Sequence, residues 1–357
     1  MKIGEDGIEI SYLSAMLEGQ VAILSAGLLN SSETERVCKA LRESDLFIDN
    51  QYSYILYPNK ELPLFLEKNA FSAAEAEKIA VLKKMIDEDD HSLLKKDIHN
   101  VCHFNPDFVN AKALEHKIDA LNKNSIIVDE KAKSDILALY EKVFNHQNFT
   151  GRSGTFYAYE GLGSIYWHMV AKLMLAVQEN MWSAYDNFVE TQDAQELERA
   201  KALTSYYFDV RKGIGYKKKP EEYGAFPFDP YSHTPYEQGA KQPGMTGQVK
   251  EEILTRMGEL GLRVINKNIV FNPVFLEPEE LRAESNLRFT WGSIPVRYSY
   301  DANARPSISI TQKTDAGNEV VSIEGLTMPR DWTERVFARD KSLVEITVHL
   351  NEYGQLL

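Results

Sequence analysis

The chain has 357 residues, of which 43% are hydrophobic and 26% are charged, and its formal net charge is −13. This composition is typical of a globular protein with a substantial core, and it excludes wholesale disorder. The excess of negative charge disfavours nonspecific binding to nucleic acid, because the phosphates would be repelled.

The cysteines and the N-terminal residues bear on the compartment. Cys38 and Cys102 are the only cysteines, too few for a disulfide framework and not at zinc-binding spacing. The sequence has no apolar run long enough to cross a membrane, and its first residues, MKIGEDGIEI, contain no apolar signal segment. We therefore expect, by default, a cytoplasmic protein without a membrane or a metal.

Helical spacing of apolar residues dominates the first 205 residues. Ser31 or Ser32 is the expected N-cap of the second helix, with Glu35 in the capping-box position, and Ser72 and Glu75 play the same roles later. The expected helices lie at 11–29, 32–43, 72–88, 107–122, 130–145, 162–182 and 191–205.

Residues 206–246 differ from the helices before them, because they are rich in tyrosine, glycine and proline. A flexible linker is one interpretation. The aromatic density favours the other, an ordered loop along the mouth of the helical body, since aromatic faces suit the C–H faces of sugar rings.

A change of hydrophobic period at Gly261 marks the second part of the chain. One more helix is expected at 247–260, with Val249, Ile253, Met257 and Leu260 as its apolar stripe. The residues after it alternate, which predicts a hairpin at 263–271 that turns at Asn266-Lys267, further strands at 287–290, 296–300, 307–311, 319–323 and 343–350, and a turn at 315–318.

These patterns predict a segregated α+β fold. Residues 1–260 would form a domain of helical hairpins that carries the loop 206–246, and residues 261–357 would form an all-β module.

Two glycine-flanked segments hold the first candidate site residues. In the segment 151–175, Glu160 lies among three glycines, and His168 follows inside an expected helix, where it could face a cavity. In the second segment, Thr246, Gly247 and Gln248 stand at an expected helix start, where free N–H groups and a hydroxyl suit an anion. The alternatives are a core histidine and a simple N-cap.

Histidine and aspartate occur in two further patterns. Asp229 and His233 lie between prolines in FPFDPYSHTP, where binding, general acid catalysis and a purely structural role all fit. His99 and His103 have i, i+4 spacing, but Pro106 indicates a helix end and no glutamate completes a metal site, so no metal is expected.

The segments EGLGSIYWH at 160–168, MTG at 245–247 and LGLRVINKNIVFNPVFL at 260–276 together resemble inverting glycoside phosphorylases of the cellobiose and chitobiose phosphorylase type. The resemblance covers roughly residues 150–275. It implies the wider six-hairpin glycosidase superfamily, with an (α/α)6 toroid, complete or partial, and a C-terminal β module.

The resemblance also implies the chemistry. His168 and Thr246 would contact inorganic phosphate, as co-substrate, or the substrate. Beside this carry-over, Glu160, His233, Gly247 and Gln248 are further candidates for binding phosphate or an oligosaccharide or glycoside. No organic cofactor is implied. The general acid is not identified, and Asp6, Glu160 and Asp229 are its candidates.

A full toroid needs twelve helices, and about eight are expected here. We therefore expect the C-terminal part of a longer enzyme, or a partner chain that supplies the missing helices. The expected activity is glycoside phosphorolysis or hydrolysis. Two alternatives are a noncatalytic glycan-binding or structural module on the same scaffold and a helical interaction protein without sugar chemistry.

Overall fold

The computed structural model describes residues 2–4, 7–9, 15–58, 64–123, 128–145, 163–214, 218–223, 233–235, 247–282 and 286–357. The chain divides into two units, one made of Met1–Pro58 with Gly163–Leu357 and the other of Asn59–Leu162.

The helices of the described residues are, in chain order, α1 (Leu17–Ser25), α2 (Ser31–Arg42), α3 (Phe65–Lys68), α4 (Ala73–Ala76), α5 (Ala80–Asp87), α6 (Ala111–Lys123), α7 (Glu130–Phe144), α8 (Trp167–Thr191), α9 (Ala194–Gly213), α10 (Pro220–Tyr223), α11 (Gly247–Glu259), α12 (Pro278–Arg282) and α13 (Arg330–Phe337).

The strands of the same residues are β1 (Lys2–Gly4), β2 (Gly7–Glu9), β3 (Phe47–Ile48), β4 (Ser53–Tyr54), β5 (Phe71–Ser72), β6 (Leu94–Lys96), β7 (Val101–Phe104), β8 (Ser164–Tyr166), β9 (His233–Pro235), β10 (Leu262–Ile265), β11 (Asn268–Phe271), β12 (Asn286–Trp291), β13 (Ile294–Tyr300), β14 (Ser307–Thr314), β15 (Gly317–Glu324) and β16 (Leu343–Leu350).

The long helix α8 organises the helical part of the first unit. Twelve of its residues are buried, and α1, α2, α9 and α11 all pack against it. An amphipathic surface helix has one apolar stripe, whereas a helix that is buried on several sides lies inside the core. Its side chains therefore form the centre of the larger hydrophobic cluster, which also takes in Ile55, Tyr207 and Phe275.

The five-stranded sheet of the first unit has the order β12-β13-β16-β14-β15. β13 and β16 run parallel and the other neighbours run antiparallel. The strands expected between 287 and 350 are confirmed. The turn expected at 315–318 is shorter than predicted: it lies at 315–316, because Gly317 and Asn318 already pair with Thr314 and Lys313 in the β14–β15 hairpin.

The expected hairpin that turns at Asn266-Lys267 is also confirmed. β10 pairs with β11 in antiparallel register, and the two turn residues have φ values of 50° and 68°. Two positive φ values are the signature of a type I′ turn, whose twist matches that of paired strands.

Gly261 joins α11 to β10 and permits a close approach. Its φ is +66°, and a Cβ at this position would lie 2.1 Å from the backbone of Asn272. Only glycine can adopt this conformation without strain or a clash at such a distance.

The second unit has a core of its own. Its sheet has the order β5-β7-β6, and α4 to α7 contribute the rest of a cluster that includes Phe104, Ile118 and Tyr140. Asn69 is buried. Its side-chain amide donates to the Phe104 carbonyl and accepts from the Phe104 N–H, both at 2.9 Å, which attaches the first residues of this unit to β7.

Several helix boundaries differ from the expectation. The second helix is capped by Asn30 with Glu33, not by Ser31 or Ser32 with Glu35, since the Asn30 side chain accepts from the Glu33 N–H. The Ser72 and Glu75 capping box is confirmed.

Two further expectations about helix length were wrong. The helix expected at 72–88 is split into α4 and α5, because Ile79 has an extended backbone. α9 continues to Gly213, so the first residues of the expected loop 206–246 are helical instead.

Short strands lie in the part expected to be almost wholly helical. His103 belongs to β7 rather than to a helix end, so it shares no helix face with His99. The second unit lies wholly inside residues 1–260. The boundary at 260/261 and the toroid stay predictions, and no helix within the described ranges is long and apolar enough to span a membrane.

The expected apolar stripe of α11 was only partly right, because Leu260 is buried and Met257 packs against the same core, but Ile253 does not. Ile253 is 57% exposed, whereas the buried positions of this helix include Glu251, Thr255 and Glu259. Polar contacts explain the difference, because the Gln178 side chain of α8 donates to the Thr255 carbonyl at 2.8 Å. Ile253 and Met257 line a groove of about 400 Å³ beside β12.

Candidate functional site

The junction between β8 and α8 forms the centre of the candidate site. β8 runs directly into α8, and the side chain of Tyr166, the last residue before the helix, does not cap the backbone N–H groups of the first turn. The helix therefore begins at Trp167, not near Gly163 or Ser164 as expected. Its first N–H groups and its dipole give this end a partial positive charge, which favours an anion or a sugar oxygen.

The ring of His168 lies between a phenol and a carboxylate. Its Nδ1 is 3.4 Å from the Tyr166 hydroxyl, and its Nε2 is 3.6 Å from Glu251 Oε1. Both distances exceed those of short hydrogen bonds. The side chain is 22% exposed, so His168 is not the fully buried core histidine of the alternative interpretation.

The pairing of β8 with β9 places a second candidate at this junction. The two strands are antiparallel, and His233 stands opposite Tyr166 in the register. Two residues from distant parts of the sequence, His168 and His233, are thus carried on elements that meet at one end of α8. The structure does not describe the His233 side chain.

The second glycine-flanked segment leads into α11, which begins at Gly247. Because α11 packs on α8, its fifth residue, Glu251, reaches His168. Sequence reasoning missed Glu251. The charged run KEE at 250–252 resembles a solvated helix face. The predicted apolar stripe of α11 therefore placed Glu251 on the side that faces solvent.

Lys218 connects the backbone at residues 51 and 52 with the end of α9. It is 8% exposed, and its ammonium donates to the carbonyls of Tyr52 and Gly213 at 3.1 and 2.9 Å and to that of Gln51. Its Nζ also lies 5.8 Å from the centre of the Trp167 ring. Burial lowers the pKa of Lys218 to about 8, against a small opposing effect of Glu222.

Some of the buried polar atoms without partners belong to residues of this junction or of the strand next to it. Within the described part of the chain, the hydroxyls of Ser53 and Ser164 and the Oε2 atom of Glu251 are buried and make no hydrogen bond. Buried polar groups are almost always hydrogen-bonded, so atoms of this kind indicate a site that a ligand or ordered water completes.

The remaining predicted site residues cannot be placed. Asp6, Glu160, Asp229 and Thr246 lie outside the described residues, as does the Gln248 side chain. The assignments of these residues to catalysis or binding stay predictions.

The second unit contains histidines in structural roles. His103 bonds the Asn69 carbonyl at 2.5 Å through Nδ1 and approaches Asp97 at 3.3 Å through Nε2. Over the residues that the structure describes, no group of three or more His, Cys, Asp or Glu side chains is arranged to hold a metal ion.

Cys38 and Cys102 are both buried thiols, and burial raises the pKa of Cys38 to about 12.

Comparison with known families bears on the second unit. Residues 62–147 match the family described as GH149 phosphorylase insertion domain 2. A search of curated proteins gave no match. The matched segment lies inside Asn59–Leu162 and wholly outside the range 150–275 to which the sequence resemblance was assigned. It is similar to a phosphorylase insertion domain, and this similarity supports a protein related to the glycoside phosphorylases.

Proposed function

We propose that this chain is a carbohydrate-active protein of glycoside phosphorylase type that binds an oligosaccharide or glycoside, with inorganic phosphate, at the N-terminal end of α8. The observation that carries the proposal is the convergence of three elements there. β9 pairs with β8, α11 packs on α8, and His168 lies at their meeting point. The phosphorylase insertion-domain match supports the class of protein.

The chemistry of the site suits phosphorolysis, in which phosphate is the nucleophile and no second catalytic carboxylate is needed. In inverting phosphorolysis the phosphate attacks the anomeric carbon, and one carboxylic acid protonates the leaving oxygen. The protein must then hold an anion beside a centre of positive charge. The start of α8 and the imidazole of His168 supply a helix dipole and a group that can donate from its ring nitrogens. Asp6, Glu160 and Asp229 remain the candidates for the acid.

Ligand-induced stabilisation tests this proposal. A ligand that binds only the folded state stabilises it, by about 2.7 kcal/mol at a concentration one hundred times Kd. Phosphate, cellobiose and chitobiose are added separately and together to the full chain, and the melting temperature is recorded. We expect phosphate to raise it, and His168→Ala to abolish most of that increase.

The matched control is His116→Ala. His116 is an exposed residue of α6 in the second unit, and this variant loses the same side chain outside the unit that holds the proposed site. An equal response of both variants would contradict the proposed site, as would a wild type that phosphate and both disaccharides leave unchanged.

Turnover separates the phosphorylase from the noncatalytic alternative. The chain is incubated with each disaccharide and phosphate, and sugar 1-phosphate and free sugar are measured. Sugar 1-phosphate indicates phosphorolysis and free sugar alone indicates hydrolysis. Binding without either product would favour a glycan-binding module on the same scaffold.

A further inference from the structure

We propose that the open edge of β12 and the groove beside it bind an extended peptide segment of a partner protein, which adds to the five-stranded sheet as a further antiparallel strand. The segment has apolar residues at alternate positions and an acidic residue between them. The proposal does not rest on the proposed function, because none of its residues belongs to the candidate site.

The turn between β12 and β13 sets the hydrogen-bond pattern of β12. β12 is an edge of the sheet and pairs with β13 alone among the described strands. Gly292 and Ser293 join the two strands and have φ values of 58° and 77°, the signature of a two-residue type I′ turn. The residues that flank such a turn, Trp291 and Ile294, exchange both backbone hydrogen bonds. Pairs with and without hydrogen bonds alternate along β12 from this point.

This alternation directs the N–H and C=O groups of Arg288 and Thr290 away from β13, to the open edge. Thr290 stands opposite Pro295, which has no N–H group, as suits a pair without hydrogen bonds. A sheet edge with unpaired N–H and C=O groups is a template for another strand. The backbone of β12 therefore offers the donors and acceptors that an added strand needs.

The groove beside this edge suits apolar side chains. It has a volume of about 400 Å³ and lies between α11 and β12. Ile253 of α11 is exposed in it, and the half-buried rings of Phe289 and Trp291 line it from β12. Every second side chain of an added strand points to the same face of the sheet. Apolar residues at alternate positions would therefore cover Ile253 and the two rings.

Arg288 determines the charge of the residue between the apolar positions. It lies on the other face of the sheet, directly opposite Arg297 in a pair without hydrogen bonds, where side chains approach most closely. Like charges in this position repel each other. Arg297 has Glu345 at 3.9 Å, whereas Arg288 makes no ion pair within the described part of the chain. An acidic residue on the added strand, opposite Arg288, would supply the compensating charge.

The same arginine disfavours a second copy of this chain as the occupant. Two β12 strands can pair in antiparallel orientation through their open edges. In the register that joins the most edge-facing backbone groups, Arg288 stands opposite its own counterpart, and the two charges repel each other. Charge complementarity therefore favours an acidic segment of a different protein.

Two synthetic peptides of opposite charge test the proposal. Capped, fluorescently labelled peptides of about seven residues, near the usual length of a strand, alternate valine with either glutamate or lysine. Binding to the full chain is followed by fluorescence anisotropy, and we expect the glutamate peptide to bind more tightly. The net charge of −13 would attract the lysine peptide instead, so this preference reports the local site and not the overall charge. A wild type that binds neither peptide, or prefers the lysine peptide, would overturn the proposal.

Two charge reversals locate the site. Arg288→Glu changes an exposed side chain of β12, and Arg305→Glu makes the same change at an exposed position outside the strands. We expect Arg288→Glu to shift the ratio of the two affinities toward the lysine peptide by at least about threefold, because a cross-strand ion pair becomes a like-charge pair. Arg305→Glu should keep the wild-type ratio. Equal shifts in both variants, or none in Arg288→Glu, would contradict the proposed contact.

Methylation of peptide N–H groups tests the strand pairing itself. In antiparallel addition, the glutamate opposite Arg288 directs its N–H to β12, and the valines beside it direct theirs away. N-methyl groups on the glutamates should abolish binding, and N-methyl groups on the valines should leave most of it. Any other pattern overturns the pairing. Sedimentation velocity examines the remaining occupant: a wild-type dimer that the glutamate peptide dissociates would assign the edge to a second copy and refute the proposal.

Discussion

Replacing Lys218 by methionine removes the ammonium that donates to three carbonyls on two backbone segments, 51–52 and the end of α9. The donor groups go to carbonyls at Gln51, Tyr52 and Gly213, and the side chain is 8% exposed. Methionine keeps most of the length and apolar stem of lysine but cannot donate a hydrogen bond. The variant therefore isolates the contribution of the ammonium to the free energy of unfolding.

The magnitude follows from two opposing effects. A hydrogen bond to a charged group contributes about 1.5–3 kcal/mol, and three of them are lost. The wild type carries a cost from burying the charge. Burial lowers the pKa from 10.5 to about 8, which corresponds to about 3 kcal/mol because each pKa unit is worth about 1.4 kcal/mol. We expect Lys218→Met to destabilise the protein by about 1.5–6 kcal/mol at pH 7, which is the range left when the cost of burial is subtracted from three such hydrogen bonds.

The pH dependence has a definite sign. Between the folded pKa of about 8 and the unfolded value of 10.5, the unfolded state binds more protons than the folded state at Lys218. Stability therefore rises with pH in this window, and the wild type gains up to about 3 kcal/mol over the variant. Below pH 8 the full cost of the buried charge is present.

Urea denaturation of both proteins at pH 7, 8, 9 and 10 measures this difference. The titration of all other groups affects both proteins and cancels when their free energies of unfolding are subtracted. A wild-type advantage that shrinks as the pH rises would refute the reasoning, since it would mean that the three carbonyls need the ammonium charge and not only its N–H donors.

Three other substitutions test the packing. Gly258→Ala is expected to cost about 1–3 kcal/mol in urea denaturation, because a Cβ there would lie 2.1 Å from Gln178 Oε1, an atom that can move. Gly261→Ala should cost more than Gly258→Ala in the same assay, because its Cβ meets backbone and its φ is positive; equal costs would contradict this ranking. Asn69→Ala leaves both backbone groups of Phe104 unpaired, so we expect a loss of about 2–4 kcal/mol and faster proteolysis within residues 64–145, with unchanged cleavage arguing against that role.

Local chemistry explains which elements could be predicted. The β10–β11 hairpin depends on a two-residue turn and on alternation, both of which are visible in ten residues of sequence. The Ser72 capping box depends on residues three apart. In each case the interactions that form the element lie within the element.

The α11 helix shows why other features could not be predicted. Its charged and apolar residues define two candidate faces, and apolar residues usually mark the buried one. Here α8 presents His168 and Gln178, so α11 turns Glu251 and Thr255 inward and leaves Ile253 at the surface. The side chains that decide the orientation lie more than seventy residues away, and helical periodicity contains no information about them.

The same reason accounts for the candidate site. His168 could be selected from its glycine-flanked segment, but Glu251 and Lys218 become relevant only when α11 and the end of α9 are brought to the start of α8. Sequence alone also cannot show that Tyr166 and His233 occupy opposite positions on two strands.

The pairing around residues 55 and 165 makes the whole second unit the loop of a β-hairpin. Ile55 and Ile165 form an antiparallel bridge, and the Gly163 N–H donates to the Tyr57 carbonyl at 3.1 Å. Asn59–Leu162 therefore leaves and re-enters the first unit at neighbouring points. Genetic deletion of this segment, with a turn of about two to five residues in its place, would keep the register of these strands. Evolution can thus gain, lose or exchange such a segment in one recombination step, without redesigning the core that surrounds α8.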